Sequence, residues 1–177
     1  GCGCKLGPRT TQQANYMPES ANYLNTKEMD LFLEKNQRYY YEKFEIMSIT
    51  GNKKSWNWAA FFLNVYWMLY RKMYLYAGGA FLINIILANI PYVGGILNIA
   101  FAICMGLFSN SLYFDHINKN LKEIEQLYPN NKEMIIMKKG GTNIVLPICI
   151  GVVSILIVIM FLLVMVSIMG GIFSAFY

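Results

Sequence analysis

The sequence predicts an all-α integral membrane protein, and three observations carry that expectation. Hydrophobic residues make up 56% of the 177 and charged residues only 14%, against roughly 45–50% and about 25% in soluble domains. The excess is uneven: residues 1–55 are polar and charged, whereas residues 143–177 hold no charged side chain. Between these extremes lie two further charge-free runs, Met73 to Ile90 and Ile96 to Phe114. The expected division is a soluble N-terminal part followed by a lipid-embedded remainder.

Residues 1–24 read as a flexible segment and linker, because GPRTTQQANYMPESANYL has two prolines, many amides and hydroxyls, and no sustained apolar period. An amphipathic helix is expected over 25–50. Asn25 with Glu28 makes a capping box, and Leu31, Phe32, Tyr39, Phe44 and Met47 recur at helical spacing up to a stop near Gly51. Glu34, Lys35, Arg38, Glu42, Lys43 and Glu45 alternate in sign along a solvated face.

A membrane domain is expected over 55–128. Its first part, 56–70, is apolar but too short to span, and nine of the 21 residues from Trp56 to Tyr76 are aromatic. Such rings favour the headgroup level, so the segment reads as an interfacial or re-entrant helix anchored by Trp56, Trp58, Trp67, Arg71 and Lys72. The alternative is one tilted span over 56–76, with Arg71 and Lys72 snorkelling to an interface.

Residues 73–90 supply 18 uncharged residues, close to the roughly 20 that cross a ~30 Å core. Pro91-Tyr92-Val93-Gly94-Gly95 is a turn signal, and 96–114 returns, giving a transmembrane helical hairpin. Asn84, Asn89 and Asn98 lie in it. Asn89 and Asn98 sit at similar distances from the turn and are placed to hydrogen-bond across it, as polar contacts between helices. Ala102 and Gly106 form a small-residue face. Beyond it, 115–128 reads as an amphipathic helix with an Ile117, Leu121, Ile124, Leu127 stripe, 129–142 as a cytoplasmic loop, and 143–177 as a C-terminal transmembrane helix that Pro147 kinks and Gly170-Gly171 ends.

Arg71 and Lys72 on one side of the hairpin, and Lys119, Lys122, Lys132, Lys138 and Lys139 on the other, flank an uncharged turn. The positive-inside rule therefore puts the N-terminus in the cytoplasm and the hairpin turn and C-terminus outside, in a multi-pass arrangement. The net charge of +5 comes from cations scattered among carboxylates, which argues against nucleic acid as a partner. The single histidine, His116, stands beside Asp115 at a helix end. No nucleophile elbow, Walker loop or HExxH motif is present, so no catalytic residue and no enzymatic activity is expected. The spans carry no ionisable relay of the kind ion-coupled transporters use.

The block SWNWAAFFLNVYWMLYRKMYLYA, residues 55–77, resembles the signature of the DUF2628 family of small bacterial membrane proteins, which typically combines SWNWAAFFF with YRKMY. FLEKNQRYYYEKFEIM and NSLYFDHINKNLKEI extend the resemblance to about residues 30–125. Asn64-Val65 stands where that family commonly has Gly-Pro. The resemblance implies a bacterial cell membrane and brings no activity with it. Some such proteins carry an N-terminal zinc ribbon, and Cys2-Gly3-Cys4-Lys5-Leu6 is similar to the end of its first knuckle. Cys2 and Cys4 alone cannot close a four-ligand site, so a zinc cofactor is implied only if a ribbon lies upstream.

The leading functional expectation is a non-catalytic accessory or scaffold subunit whose partners are membrane lipids and other membrane proteins. A small oligomeric permeation unit using the three asparagines is a second reading. A membrane sensor linked to a zinc ribbon is a third.

Overall fold

The chain enters its first helix, α1 (Lys27–Leu33), at Thr26, whose hydroxyl accepts from the Met29 amide at 3.3 Å. Acidic Glu28 and Asp30 in the first turn complement the helix dipole. The computed structural model describes Leu24 and residues 26–176, with side chains through Gly171. Asn25, the expected cap, and the linker before it lie outside the described residues. Every regular element among the described residues is helical.

The helix expected over 25–50 is two helices. Glu34 (φ 56°) and Asn36 (φ 61°) adopt left-handed backbone conformations and turn the chain before α2 (Gln37–Thr50). Ending a helix frees carbonyls that need partners, and distant groups supply them here. The Gly141 amide donates to Phe32 O at 2.7 Å, and the Arg71 guanidinium donates to Leu33 O and Lys35 O. Gly51 (φ 67°) then ends α2, its amide donating to Met47 O, where the sequence predicts the stop.

After an extended stretch, α3 (Trp58–Leu63) and α4 (Val65–Tyr70) replace the expected single helix over 56–70. The break falls at Asn64 (φ 40°), where the resembled family has Gly-Pro; Asn tolerates positive φ better than most residues. α5 (Tyr74–Ala88) has 15 residues, about 22 Å of helix, less than the expected span over 73–90. Residues 89–93 turn, and α6 (Gly94–Leu127) runs 34 residues without interruption. The expected span 96–114 and amphipathic helix 115–128 are thus one helix. Within 129–142, expected to be a loop, α7 (Lys132–Lys139) forms.

Met29, Phe32 and Leu33 of α1, Tyr40, Phe44 and Met47 of α2, Trp67 and Met68 of α4, and Ile136 of α7 are buried against Met105, Tyr113, Phe114, Ile117, Leu121 and Ile124 of α6. Leu127, expected in that stripe, is exposed. Ion pairs of Lys132 with Glu28 (2.9 Å), Lys27 with Glu133 (2.7 Å) and Lys139 with Glu123 (3.0 Å) fasten α7.

These elements make one compact unit, up to Thr142; residues from Asn143 onward make a second. The second is α8 (Val145–Phe176), started by the Asn143 carboxamide, which accepts from the Val145 and Leu146 amides. Pro147 stands in the first turn, where its missing N–H costs no helical bond. The helix passes through Gly170-Gly171 rather than ending there. By length and composition, α6 and α8 are each long and apolar enough to cross a membrane, and none of the α8 window is buried.

Candidate functional site

The most heavily invested part of the first unit is a pair of buried polar locks at the base of the α5–α6 hairpin. The first centres on Arg71, only 1% exposed. Its Nη1 donates to Leu33 O at 3.1 Å and to the Tyr113 hydroxyl at 3.5 Å, and its Nη2 donates to Lys35 O at 3.2 Å. The guanidinium lies 4.6 Å from the Tyr40 ring centroid, 5.3 Å from Tyr113 and 5.5 Å from Tyr70. Ring quadrupoles and backbone carbonyls thus hold the cation, with no carboxylate among the described residues paired to it. Lys72 (φ 57°) donates through Nζ to Lys138 O at 3.1 Å and to Gly140 O. The Glu34 carboxylate accepts from the amide and hydroxyl of Thr142. Together these bonds tie the α1–α2 elbow, the α4–α5 joint and the 140–142 segment into one knot.

The second lock is amide-based. Asn57, N-cap of α3, accepts from the Ala60 amide through Oδ1 and donates through Nδ2 to Asn110 Oδ1 at 2.8 Å. Asn110, fully buried in α6, donates in turn to the Tyr39 hydroxyl and Ser55 Oγ, both at 3.1 Å. The Ser55 and Asn57 amides donate to Leu107 O and Gly106 O. Gly106 is what lets the chain come so close: a Cβ there would meet Phe61 Cβ at 3.1 Å and the Trp56 ring at 3.2 Å. The SWNW sequence is therefore a clamp on α6.

Above the locks the hairpin changes character. Between Ala80 and Met105 the only buried residue is Gly94, packed in the turn. Phe81, Leu82, Ile86, Ile96 and Ile99 all face outward, and Tyr92 at the tip is fully exposed. Trp58 and Phe62 of α3 add exposed aromatic surface at 64% and 72%.

Several expected site residues therefore change role. Trp67 and Arg71 are core residues, not headgroup anchors, because the Tyr40–Tyr70–Tyr113 pocket encloses the guanidinium and Trp67 packs edge-on to Tyr113 at 5.9 Å. Lys72 is engaged with backbone carbonyls. Trp56 packs on Gly106, leaving Trp58 as the outward indole. Asn84, Asn89 and Asn98 do not bridge the hairpin. Each donates to the carbonyl four residues back in its own helix, Ala80, Ile85 and Gly94, at 2.8 to 2.9 Å. Side chains lean toward the helix N-terminus, so that carbonyl is the nearest acceptor. Asn110, Asn57, Ser55 and Tyr39 were missed. The signal was the consecutive Ser109-Asn110-Ser111 inside an apolar run, a local density of polar groups that the three isolated asparagines lack.

Among the described residues no group of three or more His, Cys, Asp or Glu side chains is arranged to hold a metal ion; Cys2 and Cys4 lie outside them. Glu28 of α1 and Tyr40 of α2 are among the groups with displaced acidities. Burial, outweighing the nearby Arg71, pushes the Tyr40 phenol up, and the Lys132 hydrogen bond holds the Glu28 carboxyl below its usual value. Neither change creates a reactive group near neutral pH.

A family model described as "Protein of unknown function (DUF2628)" matches residues 25–119, from the start of α1 to the lower part of α6. No curated protein and no solved structure matches the chain.

Proposed function

The chain belongs to the DUF2628 family of proteins of unknown function, and on that premise we propose that it is a non-catalytic accessory subunit seated in the bacterial cell membrane. The observation that carries the reading is the hairpin between Ala80 and Met105, which turns large apolar side chains outward on a base whose polar groups bond to one another. Water does not favour so much contiguous apolar surface; lipid does. α8, about 40 Å long from Val145 to Gly171 at 1.5 Å per residue, is long enough to carry the C-terminus across a bilayer. Lys53 and Lys54, exposed beside α3, favour a base on the cytoplasmic side. Such a protein acts through what it holds: the exposed α3 aromatics and the α2 surface are offered to other membrane subunits.

Extraction from native membranes followed by native mass spectrometry tests this. The chain is expected to stay with the membrane pellet until detergent is added, and then to appear in a complex heavier than its own 20.3 kDa. A chain that is monomeric with no companion subunit overturns the accessory reading, and one that disperses without detergent overturns the membrane reading as well.

A further inference from the structure

The depth to which the hairpin can enter lipid is fixed by what is bolted to its base. Helix α2 packs Tyr40 on Tyr113 at 5.1 Å and stacks Phe44 on Phe114 at 4.6 Å, while Arg38, Glu42 and Glu45 on the same helix are exposed. Charges this close cannot sit in hydrocarbon without a cost of several kcal/mol, so α6 at 113–114 lies in water or headgroups. Lys53 reaches Asp115 at 3.9 Å, while exposed Lys54 immediately precedes Ser55, which is bonded to Leu107 O, and Lys54 raises the waterline to about Leu107. Trp58 and Phe62 project from α3, which is packed on Gly106 through Phe61. That is the aromatic collar expected at an interface.

Above that line α6 has only Gly94 to Met105, about 16 Å at 1.5 Å per residue, and α5 above Ala80 is shorter still. A hydrocarbon core is ~30 Å thick. The turn beyond is uncharged, and its Asn89, Ile90, Val93 and Gly94 amides bond within it, to Ile85, Leu87, Pro91 and Ile90 carbonyls.

We propose that the α5–α6 hairpin enters a single leaflet and turns back at Tyr92 near the bilayer midplane, so that the partner covering its apolar face is the acyl-chain layer of one leaflet. The inference rests on the membrane seating proposed above and replaces two of the spans expected from hydropathy with one re-entrant insert. Tyr92 is fully exposed and outside the core, so a label there leaves the base intact.

The test uses the full chain with its four native cysteines replaced by serine, carrying Tyr92→Cys labelled with a nitrobenzoxadiazole dye. It is reconstituted in phosphatidylcholine–phosphatidylglycerol vesicles made leaky with alamethicin. Quenching by nitroxides near the acyl-chain end should exceed quenching by nitroxides near the headgroup, and dithionite should leave most of the fluorescence. Ile96→Cys should behave alike, and Lys119→Cys should lose its signal to dithionite. If dithionite bleaches the tip while headgroup nitroxides quench it more strongly, the hairpin spans; the single-leaflet inference falls and the membrane seating stands. If dithionite bleaches it and no lipid nitroxide quenches it, both fall.

Discussion

The two ends of α6 are built for different surroundings although one unbroken helix joins them. From Met105 to Ile124 its inward side chains fill a core shared with α1, α2, α4 and α7, and Asn110, fully buried there, is bonded on both sides. From Gly94 to Cys104 most of its side chains are exposed, with Phe101 half-buried against the core, and Asn98 satisfies itself on its own helix. The contrast teaches how the chain economises on specificity. Where many elements meet, polar groups are placed to bond across elements and so fix one arrangement. Where the surroundings are to be an unstructured apolar solvent, they are turned inward and hidden.

Substitutions should therefore be severe in the base and mild in the hairpin. The largest effect is expected for Arg71→Ala. It strands the Leu33 and Lys35 carbonyls and empties a ring-lined pocket, and each stranded buried acceptor costs about 1–3 kcal/mol. A loss of about 3–5 kcal/mol in detergent-solubilised unfolding is expected, with Arg71→Lys recovering only part of it because an ammonium cannot reach both carbonyls as a fork does. Asn110→Ala follows at about 2–3 kcal/mol, since it leaves Asn57 Nδ2 buried and without an acceptor; a cycle with Asn57→Ala should show clear coupling. Gly106→Val comes next at about 1–3 kcal/mol of overpacking against Phe61 and Trp56, read from the same melts and from a change in tryptophan fluorescence.

Smaller still is the pH dependence carried by Glu28. Its carboxyl is held below the ordinary value of 4.5 by Lys132, so the unfolded chain takes up the proton first on acidification. The stabilisation is full above pH 4.5 and is lost as pH falls through the folded value. Glu28→Gln should flatten that acid-side decline by lowering stability slightly at higher pH, where the Lys132 pairing is lost, while leaving stability at low pH nearly unchanged. The smallest effect is expected for Asn89→Leu with Asn98→Leu, whose cycle should give no coupling beyond about 0.5 kcal/mol, because neither amide reaches the other helix.

The parts of this architecture that sequence reveals are those with local causes. Charge-free runs and the Pro91–Gly95 signal locate the hairpin, and Gly51 ends α2 through its own backbone freedom. The break at 34–36 is invisible locally, because the apolar period continues from Phe32 to Phe44 and the turn is held by Arg71, Gly141 and Thr142, all far along the chain. The expected boundary at residue 115 arises from reading a change of solvent as a change of element, although main-chain hydrogen bonds of a helix run on regardless of which solvent its side chains meet. Arg71 illustrates the same limit: a cation beside an apolar run looks like a headgroup contact until the tyrosines that enclose it, Tyr40 and Tyr113, are brought in from other elements.

The division of α6 between two solvents can be measured directly by spin labels placed singly along it in lipid vesicles. At Ile96, Ile99 and Ile103, relaxation should be enhanced mainly by oxygen, which concentrates in hydrocarbon. At Lys119 and Gln126 it should be enhanced mainly by a water-soluble nickel chelate, with the crossover falling between Met105 and Phe114. Nickel access at every position, or oxygen dominance continuing through Lys119, would contradict the account.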